Sequence, residues 1–412
     1  MNFITQNILR NPPVLLGLIA LIGLLLQKKS ASDIIKGSLM AAFGMIILDT
    51  GVGMLVGTIS PINEAFSQAI NGSVGEGLND ITFTANFGGE VGLAMFIGLV
   101  IHLLIAKFTP IKTIFLTGHM IWWFPFIFVA AGVEAGLKGT ALIASAAILS
   151  ALYWSIMPWV LRKYVFDVTG DESFTLGHPT GVLSLIAGSI ARAVGDKSKS
   201  TEDIDFPKNL SFFREVPITG GIVMMLIWII IGLIIPSLTE NNLIFESLNQ
   251  GLKFGAGLLI MLQGVRMLIN QIVPAFQGIS EKIVPNAIPA FDCPVIFNYK
   301  PNAVIIGFIT SMVVSTVTLI VVNKLGIFHT FLLPLVITCF FECGAAAVIA
   351  EGQGGMKGCI IGTAVSSIVM IFVLGISADL YSNTISNWML IFGGNDFSIF
   401  GSLAKLILSI FS

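Results

Sequence analysis

Gly51-Val52-Gly53-Met54-Leu55 returns 213 residues later as Gly264-Val265-Arg266-Met267-Leu268. The same offset carries Gly44 onto Gly257 and Pro61 onto Pro274 without a gap. Both copies lie in apolar runs long enough to cross a bilayer, and their flanks carry opposite charge. Lys28, Lys29 and Lys36 precede the first; Glu240, Asn241, Asn242 and Glu246 precede the second, with no cation from Arg214 to Lys253. Cationic flanks stay on the cytoplasmic side, so the two copies are expected to cross in opposite directions. Inverted repeats of this kind build transporters whose solute sits near the bilayer midplane, between the halves.

Composition sets the class. The 412 residues are 55% hydrophobic and 11% charged, with a mean hydropathy of +0.93. Soluble domains carry roughly a quarter charged residues. Runs such as Ile222–Ile235 and Ala303–Val322 show no period of two, which excludes a β-barrel and leaves helices to satisfy the backbone in lipid. The expected fold is an all-α polytopic membrane protein of about ten or eleven spans, at about 20 residues each, with interrupted half-helix elements at matching places in two inverted repeats. Residues 1–192 form the first repeat, 193–216 a cytoplasmic linker rich in charge, and 217–412 the second. Val14–Leu26 ends on Gln27-Lys28-Lys29 with no small-residue cleavage site and reads as a retained helix. Ser60–Ala85 is acidic and reads as an outside loop; Gly181–Ile190 is too short to span; the Gly-rich stretch 351–355 breaks the apolar run around it.

The net charge of −2 says nothing about nucleic acid, but the sequence has no basic stripe, so no nucleic-acid partner is expected. No Walker loop or dinucleotide fingerprint occurs, so no cofactor is expected, and energy must come from an ion gradient or from other proteins. Cys293, Cys339, Cys343 and Cys359 form no CxxC pair and read as small buried apolar residues. No spacing supports a metal site.

Ionisable groups at membrane depth are costly and few. They are Asp49, Arg266, His119, His178, Asp292, Glu342 and Glu351. His119, His178 and Asp292 each adjoin Gly or lie close to Pro, where helices begin or break and leave free N–H and C=O groups. A carboxylate accepts from solute hydroxyls; a neutral imidazole both donates and accepts. A small polyhydroxylated solute fits such a set. Trp122, Trp123 and Phe124 either stack on a solute ring or form an interfacial belt. Arg266 reads as a tie to a helix end or to an acid. His102 and His329 read as structural.

At these residues the chain resembles the membrane (IIC) subunit of the ascorbate-specific branch of the phosphoenolpyruvate-dependent phosphotransferase system. The matching pieces are Ile111–His119, Leu152-Tyr153-Trp154, Phe174–His178, Gln263–Met267, Ala275–Ser280, Asp292-Cys293 and Pro301–Val304. The resemblance implies a homodimer of about eleven-helix subunits in the bacterial cytoplasmic membrane. Each subunit would have a mobile core moving as an elevator against a V-shaped scaffold. Soluble IIA and IIB proteins would be its partners, and a IIB phosphocysteine would phosphorylate the solute at the inner face. Carried over by position, His119, His178 and Asp292 match residues at the sugar, with His178 and Asp292 orienting the hydroxyl that is phosphorylated. Two neighbours depart: Trp123 and Pro179 stand where that family has Gln. A gradient-driven secondary transporter, with Asp292 or Glu342 carrying a proton or Na⁺, is the rival reading; a receptor or structural membrane protein is a third.

Overall fold

The computed structural model describes residues 11–69, 80–204, 212, 215–239, 242–385 and 393–410. Eleven helices are present among them: α1 Pro12–Leu26, α2 Ala31–Ala69, α3 Asp80–Phe108, α4 Gly118–Glu134, α5 Gly139–Thr169, α6 Gly181–Val194, α7 Val216–Ile234, α8 Leu243–Lys282, α9 Pro301–Leu325, α10 Val336–Tyr381 and α11 Asp396–Leu408. Seven (α2, α3, α5, α7, α8, α9 and α10) are long and apolar enough to cross a membrane; α1, α4 and α6 are shorter apolar helices. Leu104, Ile230, Leu233, Ile234, Leu252 and Val313 are among the large apolar side chains left exposed. Exposure on that scale fits a lipid-facing surface.

The helices pack as two groups. One joins α1, α2, α7 and α8; the other joins α3, α4, α5, α6, α9, α10 and α11. In the first group α2 and α8 cross antiparallel through the quoted repeat. A Cβ on Gly44 would lie 2.7 Å from the Leu268 nitrogen, and one on Gly51 would lie 2.3 Å from the Met261 nitrogen. From the other side, a Cβ on Gly264 would lie 2.3 Å from the Leu48 nitrogen. Glycine is required at these positions because backbone meets backbone, the arrangement that drives helix association in lipid.

Several boundaries differ from the sequence expectation. Of the outside loop expected at Ser60–Ala85, the described parts are helical: α2 continues through Pro61 to Ala69 and α3 takes in the residues from Asp80, while 70–79 lie outside the described residues. Pro61 is accommodated inside the helix, as Pro274 is in α8. Residues 386–392 lie outside the described residues. The break at 351–355 falls within α10 as expected: Gly354 and Gly355 leave helical geometry, Gly355 with φ 59°. The linker is docked into that break. Asp196 N–H donates to the Gly354 carbonyl at 2.8 Å and Met356 N–H to Lys199 at 2.7 Å. Glu351, almost fully buried, pairs with Lys300 at 3.0 Å and accepts from Ser200 and Thr201. Glu202 accepts from the Asn302 N–H at 2.9 Å, capping α9 from outside its own segment.

One element was not expected at all. Three short strands, β1 Thr113–Phe115, β2 Thr175–Leu176 and β3 Ile288–Phe291, form a parallel sheet in the order β1-β3-β2. The all-α polytopic class holds with this addition. The central strand carries Pro289, a residue normally confined to edges. Pairing with β2 begins only at Thr175↔Ala290, so the missing N–H breaks no ladder bond on that side. Buried His102 holds β1: its Nε2 accepts from the Phe115 N–H at 3.0 Å, while Nδ1 lies 2.7 Å from the Ser155 hydroxyl. It is structural, as expected.

Candidate functional site

Parallel strands point their carboxyl ends the same way, and here each end leads directly into a candidate side chain. β1 runs through Leu116-Thr117 into α4, whose second residue is His119. β2 runs into Gly177-His178, ahead of α6. β3 runs into Asp292, which caps the 3₁₀ turn Cys293–Ile296. Parallel pairing therefore gathers three residues that are up to 173 positions apart in sequence (His119 to Asp292).

The His119 Nε2 lies 3.6 Å from Asp292 Oδ2, and the His178 Nε2 lies 3.5 Å from Asp292 Oδ1. Both exceed an ordinary hydrogen bond. The spacing suits a solute hydroxyl that meets the imidazoles and the carboxylate together. Side-chain exposure falls from 40% at His119 to 13% at Asp292 and 6% at His178, so the set has an open lip and a closed floor. Asp292 Oδ1 also accepts from the Cys293 N–H at 2.7 Å. The expectation that Asp292 orients a ligand therefore has a rigid base.

Trp123 lies one turn beyond His119 on α4, half-buried and edge-on to Phe126 at 5.2 Å. Pro179 contributes its carbonyl, which accepts from the Asp396 N–H at 2.9 Å. Arg266 binds Asn298 at 3.1 Å rather than an acid. All four cysteines are free and buried, as expected of small apolar residues. No metal was expected from spacing; in space, His178, Asp292 and Cys293 bring potential ligand atoms within 4.8 Å of one another.

Sequence reasoning missed the residues behind the site. The Tyr153 hydroxyl donates to Asp396 Oδ2 at 2.5 Å and lies 3.2 Å from the His178 carbonyl. Asp396 Oδ1 accepts from the Val182 N–H at 2.9 Å. Together they grip the turn that carries His178 and Pro179 from both sides. Tyr153 is itself held by Phe124, stacked at 3.8 Å. Thr180 donates to the Glu342 carbonyl at 2.7 Å, and the Glu342 side chain accepts from Asn395 at 2.8 Å.

A family model described as PTS system sugar-specific permease component (EIIC-GAT) matches residues 7–396. The chain is also 24% identical to a protein of Mycoplasma pneumoniae (strain ATCC 29342 / M129 / Subtype 1) named "Ascorbate-specific PTS system EIIC component", over 444 aligned positions. That alignment covers 92% of this chain and 66% of the relative, so the chain spans somewhat less than two thirds of that protein's length. The match to the family model takes in the repeat helices, all three strands and the residues at their ends. This multi-pass protein of the bacterial cytoplasmic membrane therefore belongs to the PTS system sugar-specific permease component family.

Proposed function

We propose that the chain is the IIC permease of a phosphoenolpyruvate-dependent phosphotransferase system, taking up ascorbate or a related small hydroxylated solute. The solute would be phosphorylated at the inner face by the phosphocysteine of a separate IIB protein, itself supplied by IIA. The observation that carries this reading is the convergence of His119, His178 and Asp292 at 3.5–3.6 Å on the ends of three parallel strands. His178 and Asp292 would orient the accepting hydroxyl, and His119, with Trp123 and Pro179 beside it, would bind the remainder of the solute. General-base help by His178 or Asp292 is compatible with that geometry.

The inverted repeat, divided as 1–192, linker 193–216 and 217–412, is supported by element bounds. Shifting the start of α2 by 213 residues gives 244, against 243 for α8. Shifting α6 likewise gives 394–407, against 396–408 for α11. The antiparallel, reciprocal glycine contacts between α2 and α8 point the same way. The two helix groups support a scaffold of α1, α2, α7 and α8 and a mobile core of the rest, working as an elevator within a homodimer.

The test is uptake into membrane vesicles supplied with phosphoenolpyruvate, the general phosphotransfer proteins that pass its phosphate to IIA, IIA, IIB and labelled ascorbate. Phosphorylated product that requires phosphoenolpyruvate is expected, and Asp292→Asn should lower it at least about 100-fold, the loss of one transition-state-level contact or more, without altering the melting temperature. Uptake of unmodified solute that a protonophore abolishes would instead establish the rival gradient-coupled reading. That reading has one observation in its favour: Glu342 is buried, and its Oε2 has no hydrogen-bond partner among the described residues.

A further inference from the structure

Thr117 is the N-cap of α4, two residues before His119. Threonine is favoured at that position because its oxygen accepts from an early amide of the helix. Here it makes no such bond. The side chain is 4% exposed, and Oγ1 is buried without a hydrogen-bond partner among the described residues. Buried hydroxyls are ordinarily paired, so one turned away from its local partner calls for another.

The surroundings indicate what that partner is. Thr117 lines a recess with Asp292, and the rest of the wall is apolar or backbone, including Leu16, Leu48, Leu268 and Phe291. The recess measures about 10 Å³, room for one water-sized group and no more. Its polar groups are thus complementary: a carboxylate that only accepts, and a hydroxyl able to donate. The first amides of a helix of 17 residues lie at the same end, where partial positive charge favours an electron-rich oxygen.

We propose that Thr117 is a solute-binding residue that reads a single hydroxyl of a small polyhydroxylated solute. The solute O–H donates to Asp292 while its oxygen accepts from the Thr117 hydroxyl. This rests on the carrier reading above and adds a specificity determinant to it. A pocket built to pair a hydroxyl discriminates strongly against analogues that lack one, because the protein groups are then left unpaired.

The test uses the full-length chain in detergent, titrated calorimetrically with L-ascorbate, as parent, Thr117→Ser and Thr117→Val. Valine keeps the shape and removes the hydroxyl. Thr117→Val should weaken ascorbate binding about 3- to 10-fold, the worth of one hydrogen bond, while Thr117→Ser binds like the parent. The melting temperature of Thr117→Val without ascorbate should equal or exceed that of the parent, since an unpaired buried hydroxyl has been removed. Equal affinity of the parent and Thr117→Val would overturn the subsite and leave the carrier reading standing. A lower melting temperature with unchanged affinity would also overturn it, by assigning the hydroxyl to a bound water or a backbone cap. A parent that binds no ascorbate would overturn the solute class itself, and the subsite with it.

Discussion

Tyr153 and Asp396 are the residues on which the His178 turn rests. Tyr153→Phe removes only the oxygen that donates to Asp396 at 2.5 Å. A hydrogen bond to a carboxyl group contributes about 1.5–3 kcal/mol, so that variant should melt at a lower temperature and bind ascorbate less tightly. Asp396→Asn, made in the parent, keeps one acceptor oxygen and should cost less than Tyr153→Phe. An unchanged melting temperature in Tyr153→Phe would remove the pair from its supporting role. His119, His178 and Asp292 were legible in the sequence because a charge or an imidazole among apolar residues is rare and each sits beside a helix-breaking residue. Tyr153, Thr117 and Asp396 were not. Tyrosine and threonine are ordinary in membrane helices, and Asp396 follows Asn395 at the start of α11, where an acid normally serves its own helix.

At the level of elements, the sequence carried the breaks and hid the strands. Gly352-Gln353-Gly354-Gly355 announces an interruption, and the chain does leave helical geometry at Gly354 and Gly355. Strands of two to four residues have too few positions to display a period, so Thr113–Phe115 and Ile288–Phe291 look like any other apolar fragment. α8 runs on to Lys282 through the polar end of its sequence, packed against α1 and α2. The docked linker gives this level its own prediction. Glu351 is 3% exposed and holds Lys300, Ser200 and Thr201 at the break in α10. Breaking a buried pair by removing one partner costs about 3–5 kcal/mol, because the other charge is stranded. Glu351→Ala should destabilise the protein by about that amount, and residues 195–204 should become sensitive to protease. Protection of that segment equal to the parent's would show that the pair does not hold the linker.

Across the whole molecule, the two helix groups meet along the recess lined by Leu16, Met45, Leu48 and Leu268 on one side and Leu116, Thr117 and Asp292 on the other. If the groups move against each other, a bond across that seam must stop transport. Met45→Cys with Leu116→Cys, oxidised, should abolish vesicle uptake, and reductant should restore it. The same oxidant applied to Met45→Cys alone or to Leu116→Cys alone should leave most uptake intact. Uptake that survives the cross-link would sink the elevator proposal. The glycines at which α2 and α8 touch were readable in the sequence because they recur at a fixed offset, while the assignment of helices to groups depends on packing that no single segment reveals. The sheet order carries a consequence for biogenesis. β1 and β2 flank β3 and do not pair with each other, yet about 110 residues separate Leu176 from Ile288. At roughly 5–20 residues per second, the ribosome leaves β2 waiting on the order of 6–22 seconds for the middle strand, and β1 longer still. Their backbone amides must be sheltered in the nascent chain throughout, so the pocket is among the last features of the protein to mature.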